Sequence, residues 1–216
     1  MRVFASDERW VVELACLDLE GVLIPEIWID FAERTGIDEL RATTRDIPDY
    51  DELMQQRLRI LRENNLGLPD IQAVIDQMAP IPGAREFIDW LRERFQVIIL
   101  SDTYYEFAQP LMRQLGFPTL FCHKLEVGDD GMITDYHLRQ KDPKRQSVKA
   151  FHSLNYRVIA AGDSYNDTTM LSEADAGILF KAPDNVIAEF PQFPAVHEYA
   201  ELKEEFLKAS QRALSL

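Results

Sequence analysis

Three short apolar runs each end in polar, reactive residues, and that arrangement constrains the fold more than any other feature of the chain. Residues 11–17 run into Asp18-Leu19-Glu20-Gly21, residues 96–100 into Ser101-Asp102, and residues 157–161 into Gly162-Asp163-Ser164. Runs of this length, apolar at nearly every position, are the pattern of strands buried on both faces. A fourth short strand reads at 177–180. Helical patterns fill the spaces between them. One covers 84–94, with Phe87, Ile88 and Leu91 inward; another covers 104–115, closed by Gly116. Asp142-Pro143 opens a helix that carries Lys144, a further helix spans about 166–174, and the tail, 199–214, is amphipathic. Apolar strands alternating with helices imply an α/β protein, a mostly parallel sheet with helices on both faces. Gly128-Asp129-Asp130-Gly131, between apolar segments at 125–127 and 132–138, is a hairpin signal.

The stretch from 25 to 80 reads as helical throughout. Ile27, Trp28, Phe31 and Ala32 form a stripe that stops at Gly36. Asp49 is placed to cap a helix over 50–64 with Leu53, Met54, Leu58 and Leu61 inward, and Pro69 to open a third helix with Ile71, Val74, Ile75 and Met78. This is too long for a simple crossover. It reads as a small helical cap (25–80) inserted after the first strand of a core domain (11–24 and 81–216), with residues 1–10 as an N-terminal extension.

The 216 residues carry a formal net charge of −14. Such a surface repels nucleic acid and anionic membranes, so neither is an expected partner. A small anionic substrate stays open, because a local Lys/Arg cluster overrides the global field. Cys16 and Cys122 have neither metal-ligand nor redox-motif spacing and read as core thiols in a reducing compartment. Residues 1–10 lack the apolar segment of a secretory leader, and no run approaches the length of a membrane span; a cytoplasmic protein is expected.

In open parallel sheets, ligands bind at the carboxyl ends of the strands. Asp18, Ser101 and Asp163 should therefore converge, joined by Lys144 from a nearby helix start. Grouped carboxylates favour a hard dication, and magnesium suits oxygen ligands. In such a site Asp18 can accept a phosphoryl group covalently, while Ser101 and Lys144 take the remaining phosphoryl oxygens. Glu20, two residues on, is placed for acid/base work. Each residue also has a structural reading. Asp18 is equally a turn former, Ser101-Asp102-Thr103 a helix cap, Lys144 a solvated lysine, Asp163 and Asp167 turn and helix-start residues, and Glu20 an exposed loop residue. What favours chemistry is their joint occurrence at the expected strand ends in the expected order.

Asp18-x-Glu20-Gly21, Ser101-Asp102-Thr103, Lys144 and Gly162-Asp163-Ser164-Tyr165-Asn166-Asp167 resemble the four ordered motifs of the haloacid dehalogenase superfamily of phosphotransferases. Over roughly residues 12–210 the chain is most similar to the bacterial phosphoserine phosphatases that also act as phosphoserine:homoserine phosphotransferases. The resemblance implies a Rossmann-like core and bound Mg2+. It implies that Asp18 is the nucleophile and a metal ligand, that Glu20 lends a main-chain carbonyl to the metal and its side chain to acid/base work, and that Asp163 is a further ligand with Asp167 behind it. It places Ser101, Asp102, Lys144 and Asn166 at the phosphate end, and matches Glu26 and Arg57 to cap residues that hold the amino-acid part of the substrate. Arg57 is preferred over Arg59, which faces elsewhere on a helix. The substrates implied are phosphoserine and homoserine, with a monomer or homodimer as the assembly. One departure from the wider superfamily stands out: the second acidic residue of the first motif is usually Asp and here is Glu20, a feature the closest subfamily shares. Three other readings stay open. They are a phosphatase for another small monoester, a phospho-acceptor module without turnover, and a dinucleotide-binding domain. The last lacks a Gly-rich turn after the first strand.

Overall fold

The computed structural model describes residues 12–43, 46–47 and 49–212. Seven strands form one sheet in the order β4-β3-β2-β1-β5-β6-β7. They are β1 (Glu13–Leu17), β2 (Gln96–Tyr104), β3 (Thr119–Val127), β4 (Ile133–His137), β5 (Arg157–Gly162), β6 (Ala176–Phe180) and β7 (Ala195–Val196). Every pairing is parallel except β3 with β4, the hairpin at one edge. This is the expected α/β fold.

Strand geometry explains why the central runs are apolar at every position. Side chains alternate between faces, so a strand covered on both sides needs apolar residues in both registers. Ala15 and Leu17 of β1 join one core, and Leu14 and Cys16 the other. Ile159 and Ala161 of β5 divide from Val158 and Ala160 in the same way. The first face is covered by α4 (Ala84–Arg92), α5 (Tyr105–Gln114) and α9 (Tyr199–Ala209), and the second by α6 (Pro143–Ser153), α7 (Thr168–Glu173) and α8 (Asp184–Glu189). Both cysteines are buried and unpaired by disulfide, as the sequence indicates.

The helical insertion between β1 and β2 holds α1 (Ile27–Thr35), a 3-10 turn (Asp38–Arg41), α2 (Tyr50–Glu63) and α3 (Leu68–Ile75). Asp49 caps α2, its Oδ1 accepting the N–H groups of Asp51 and Glu52 at 2.9 and 3.0 Å. The inward stripes of α1, α2 and α3, Leu53 apart, belong to the same apolar cluster as α4 and α5. Leu68 N donates to the carbonyl of Gly131 at 2.8 Å, tying the insertion to the β3–β4 turn.

Several elements differ from expectation. Strand β2 continues through Ser101 to Tyr104, past its apolar run, and the helix begins at Tyr105. Between Leu100↔Phe121 and Tyr104↔His123 the β2–β3 register shifts, so β2 carries two extra residues there. The segment read as a helix from about Asn166 opens as a 3-10 turn, Tyr165–Asp167, before α7. The first half of β3, β7 and α8 lack a clear sequence signal. Among the described residues no helix is long and apolar enough to cross a membrane. The tail helix ends at Ala209, short of the expected 214, because Ser210 turns to an extended conformation. The reading of residues 1–10 as an extension and the start of the first strand at Val11 lie outside the described residues.

Candidate active site

The chain leaves β1 directly into the site. Asp18 N donates to Ala161 O across the sheet at 3.0 Å, and Leu19 N returns to Asp18 Oδ1 at 2.7 Å, which fixes the carboxylate. The loop turns back at once through Gly21, whose N–H donates to Ile24 O at 2.9 Å. Gly21 has φ +75°, and a Cβ there would stand 2.4 Å from Asp163 Oδ2. Only glycine lets the Asp163 carboxylate approach this turn.

The strand-end residues converge as expected. Asp18, Glu20, Glu26, Arg57, Ser101, Asp102, Lys144, Asp163 and Asn166 all line one cleft of about 370 Å³. Lys144 is buried, so the reading as a solvated lysine is excluded. Its Nζ lies 2.8 Å from Asp167 Oδ1, 2.9 Å from Asp18 Oδ2 and 3.2 Å from Asp102 Oδ2. Burial works against its charge, but the Asp102, Asp167 and Asp18 carboxylates more than offset that and hold its pKa well above the ordinary value. Asp167 lies behind the cleft, fully buried, its other oxygen accepting the N–H groups of Asp163 and Ser164 at 2.9 and 3.1 Å. Gly162 leaves room for it: a Cβ on Gly162 would fall 2.4 Å from Asp167 Cβ. Ser101 does not cap α5; its Oγ accepts the N–H of Thr103 at 3.2 Å, and the N-cap position belongs to Tyr104.

Carboxylate oxygens of Asp18, Asp163 and Asp167 all lie within 4.8 Å of one another, each from a buried residue. Burial, then Asp167, pushes the Asp18 carboxyl well above its usual range, and Lys144 pulls the other way. An all-oxygen, anionic and crowded donor set of this kind fits a hard dication, which would return Asp18 to its ionised form.

The far end of the cleft is built from the insertion. Glu26 stands at the N-cap of α1 without spending its side chain on a cap bond. Arg57 is buried in α2, its guanidinium 4.4 Å over the Trp28 ring and one N–H donated to Ala42 O at 2.9 Å. Among the described residues its Nε has no hydrogen-bond partner. Arg59 is exposed and pairs with Glu63 on the opposite side, as helical spacing requires. Glu20 lies between the two ends, with Oε2 accepting the N–H of Ile27 at 2.9 Å. Burial, then the neighbouring Glu26, raises its carboxyl to about 8, which favours its protonated form. Tyr50, Tyr104 and Lys181 also line the cleft and were not singled out in the sequence. The two tyrosine hydroxyls are 2.8 Å apart and join the start of α2 to the end of β2.

A family model described as haloacid dehalogenase-like hydrolase matches residues 12–175, most of the chain and the range that holds all four sequence motifs. The chain belongs to this hydrolase family. Within it, the chain is 76% identical over 205 residues to the phosphoserine phosphatase ThrH of Pseudomonas aeruginosa, covering 95% of this chain and 100% of that protein. It is 75% identical to a phosphoserine phosphatase of Pseudomonas syringae pv. tomato, covering 95% and 86%. A solved phosphoserine phosphatase in apo form, 20% identical, superposes with a TM-score of 0.74 over 89% of this chain and 98% of that one, and shares the fold. Family membership sets aside the dinucleotide-binding alternative.

Proposed function

We propose that the protein is a magnesium-dependent phosphotransferase that takes the phosphoryl group of phosphoserine onto Asp18 and passes it to water or to homoserine. The observation that carries this reading is the polarity of the cleft. One end holds Asp18, Asp163 and Lys144; the other holds Glu26 and Arg57. A phosphorylated amino acid has the matching order of groups: phosphate, then an ammonium for Glu26 and a carboxylate for the Arg57 fork. The substrate named for the Pseudomonas relatives supports the same choice.

Asp18, Asp163 and the main-chain carbonyl of Glu20 would hold the magnesium ion, which draws negative charge from the phosphoryl group. Lys144 and Ser101 take phosphoryl oxygens, where charge gathers in the transition state. The Asp18 carboxylate attacks phosphorus, the bond from phosphorus to the serine oxygen breaks, and Glu20 gives that oxygen its proton. In the second half, Glu20 takes a proton from water or from the homoserine hydroxyl, whose oxygen attacks the phosphoryl-aspartate and frees Asp18. The raised pKa of Glu20 suits the first of these steps at neutral pH. In this reading the insertion over 25–80 acts as the cap on a core of 11–24 and 81–216, and the enzyme works in the cytoplasm.

The test is turnover of phosphoserine, sugar phosphates and nucleotides with and without magnesium. Preference for phosphoserine supports the assignment; equal rates on all three classes would remove it. Glu20 offers a longer arm than the usual Asp, and we infer that it favours the bulkier alcohol acceptor. If Glu20→Asp leaves the ratio of phosphohomoserine to inorganic phosphate unchanged, that part of the reading is wrong.

A further inference from the structure

Asp102 lines the phosphate end, but its carboxylate is committed to other protein groups. Oδ2 accepts from Asn166 Nδ2 at 3.0 Å and lies 3.2 Å from Lys144 Nζ. Oδ1 faces His123 Nε2 at 3.6 Å. An ionised carboxylate has no proton to offer a phosphoryl oxygen, so Asp102 acts on the site through the groups it holds. Burial opposes its ionisation, yet Lys144, His123 and Asn166 together keep it well below the usual carboxylate range.

His123 is buried in β3, paired with Tyr104 just beyond the register shift that carries Asp102 toward it. Its Nδ1 accepts the backbone N–H of Arg139 at 3.1 Å. A neutral imidazole that accepts at Nδ1 carries its proton on Nε2, the nitrogen aimed at Asp102. The 3.6 Å separation is long for a hydrogen bond, but the attraction between the N–H dipole and the carboxylate acts at that range in a low-dielectric interior.

We infer that His123 is a positioning residue for phosphoryl transfer: its Nε2–H, fixed by the Arg139 backbone, orients the Asp102 carboxylate that in turn aligns Lys144 and Asn166 at the phosphate end. The inference rests on the function proposed above. Lys144 is shared among three carboxylates, and Asp102 is the one among them that His123 faces. Without His123, Asp102 turns to other partners and the ammonium is left to Asp18 and Asp167. No element of the site's own motifs carries this control; it comes from the neighbouring strand.

Two measurements test it. The first is 15N NMR of the imidazoles of the unaltered protein, with His123→Gln to assign the signal among the four histidines. The expected result is a neutral ring protonated at Nε2; protonation at Nδ1 overturns the inference. The second is turnover of phosphoserine with magnesium. Because a displacement of about 1 Å in a reacting group costs up to about 100-fold, His123→Leu should lower kcat roughly 10- to 100-fold with little change in KM. His123→Gln, which keeps a donor toward Asp102, should recover most of that loss. In an Asp102→Asn background, His123→Leu should change kcat less than about twofold, because the two residues act as one unit. Equal losses in the Gln and Leu variants, or the full loss persisting in Asp102→Asn, overturn the inference. The NMR result needs no substrate, and the tautomer is read in the unaltered protein, the variant serving only to assign its signal. An unaltered protein inactive on phosphoserine therefore counts against the proposed function, while the tautomer still decides for His123.

Discussion

Lys144 Nζ lies 2.9 Å from Asp18 Oδ2, and both groups are buried. The cation is the charge among the described protein groups that lets Asp18, Asp102 and Asp167 approach one another. Lys144→Met removes it at nearly constant volume. Loss of one partner from a buried ionic cluster costs about 3–5 kcal/mol, and loss of a charge that stabilises a transition state costs about 100- to 1000-fold in kcat. Urea unfolding without metal and phosphoserine turnover with it should both report the loss. A variant of unchanged stability would mean that the carboxylates do not depend on this lysine.

Gly162 admits Asp167 where any side chain would collide with it. In Gly162→Ala the added Cβ stands 2.4 Å from both Cβ and Cγ of Asp167, which Lys144 and two backbone N–H groups hold in place. Overpacking of this kind costs about 1–3 kcal/mol, and the displaced Asp167 should carry Lys144 with it. The expected outcome is a lower urea midpoint together with lower kcat. An active variant of unaltered stability would show that the loop relaxes freely.

Arg57 and Arg59 lie two residues apart and should behave oppositely. Arg57→Ala removes a buried guanidinium from the cleft, and truncating one partner of a buried charge pair costs at least about 2 kcal/mol, so KM for phosphoserine should rise by at least about 30-fold. Arg59→Ala breaks an exposed pair with Glu63 at 3.6 Å, worth no more than about 0.5 kcal/mol, and should leave both KM and stability near their original values. Equal effects from the two variants would contradict the placement of the amino-acid end.

Burial pushes the Cys122 thiol up to about 12 and Cys16 higher still. A raised thiol pKa leaves almost no thiolate at pH 8, and thiolate is the form that reacts. Ellman's reagent should label neither cysteine of the native protein within minutes and both in urea. Rapid labelling without denaturant would show that β1 or β3 opens.

Much of this architecture was legible because parallel strands covered on both faces leave uninterrupted apolar runs. Residues 11–17 and 157–161 announce β1 and β5, and with them Asp18 and Asp163. Helix punctuation by Asp49, Pro69 and Pro143 was equally plain. The end of β2 was hidden because Ser101 to Thr103 are polar and look like a cap, whereas the β2–β3 ladder carries them through an irregular register. The first half of β3 mixes Thr119, His123 and Lys124 into its apolar residues and has no clean period. His123 gave no local signal at all, since its partners Asp102 and Arg139 are distant in the chain. Lys144 was legible as a candidate from its place in the motif order, but its burial among three carboxylates is a property of the packed sheet and helices, and no local pattern encodes it.

The central claim is covalent transfer through Asp18. It is tested most directly by acid-quenching the magnesium-loaded protein during turnover of phosphoserine and locating the phosphoryl group by mass spectrometry. The expected result is one phosphoryl group on Asp18 in the unaltered protein, and neither adduct nor turnover in Asp18→Asn. Turnover by Asp18→Asn comparable to the unaltered protein, or a phosphoryl group on a different residue, would contradict it.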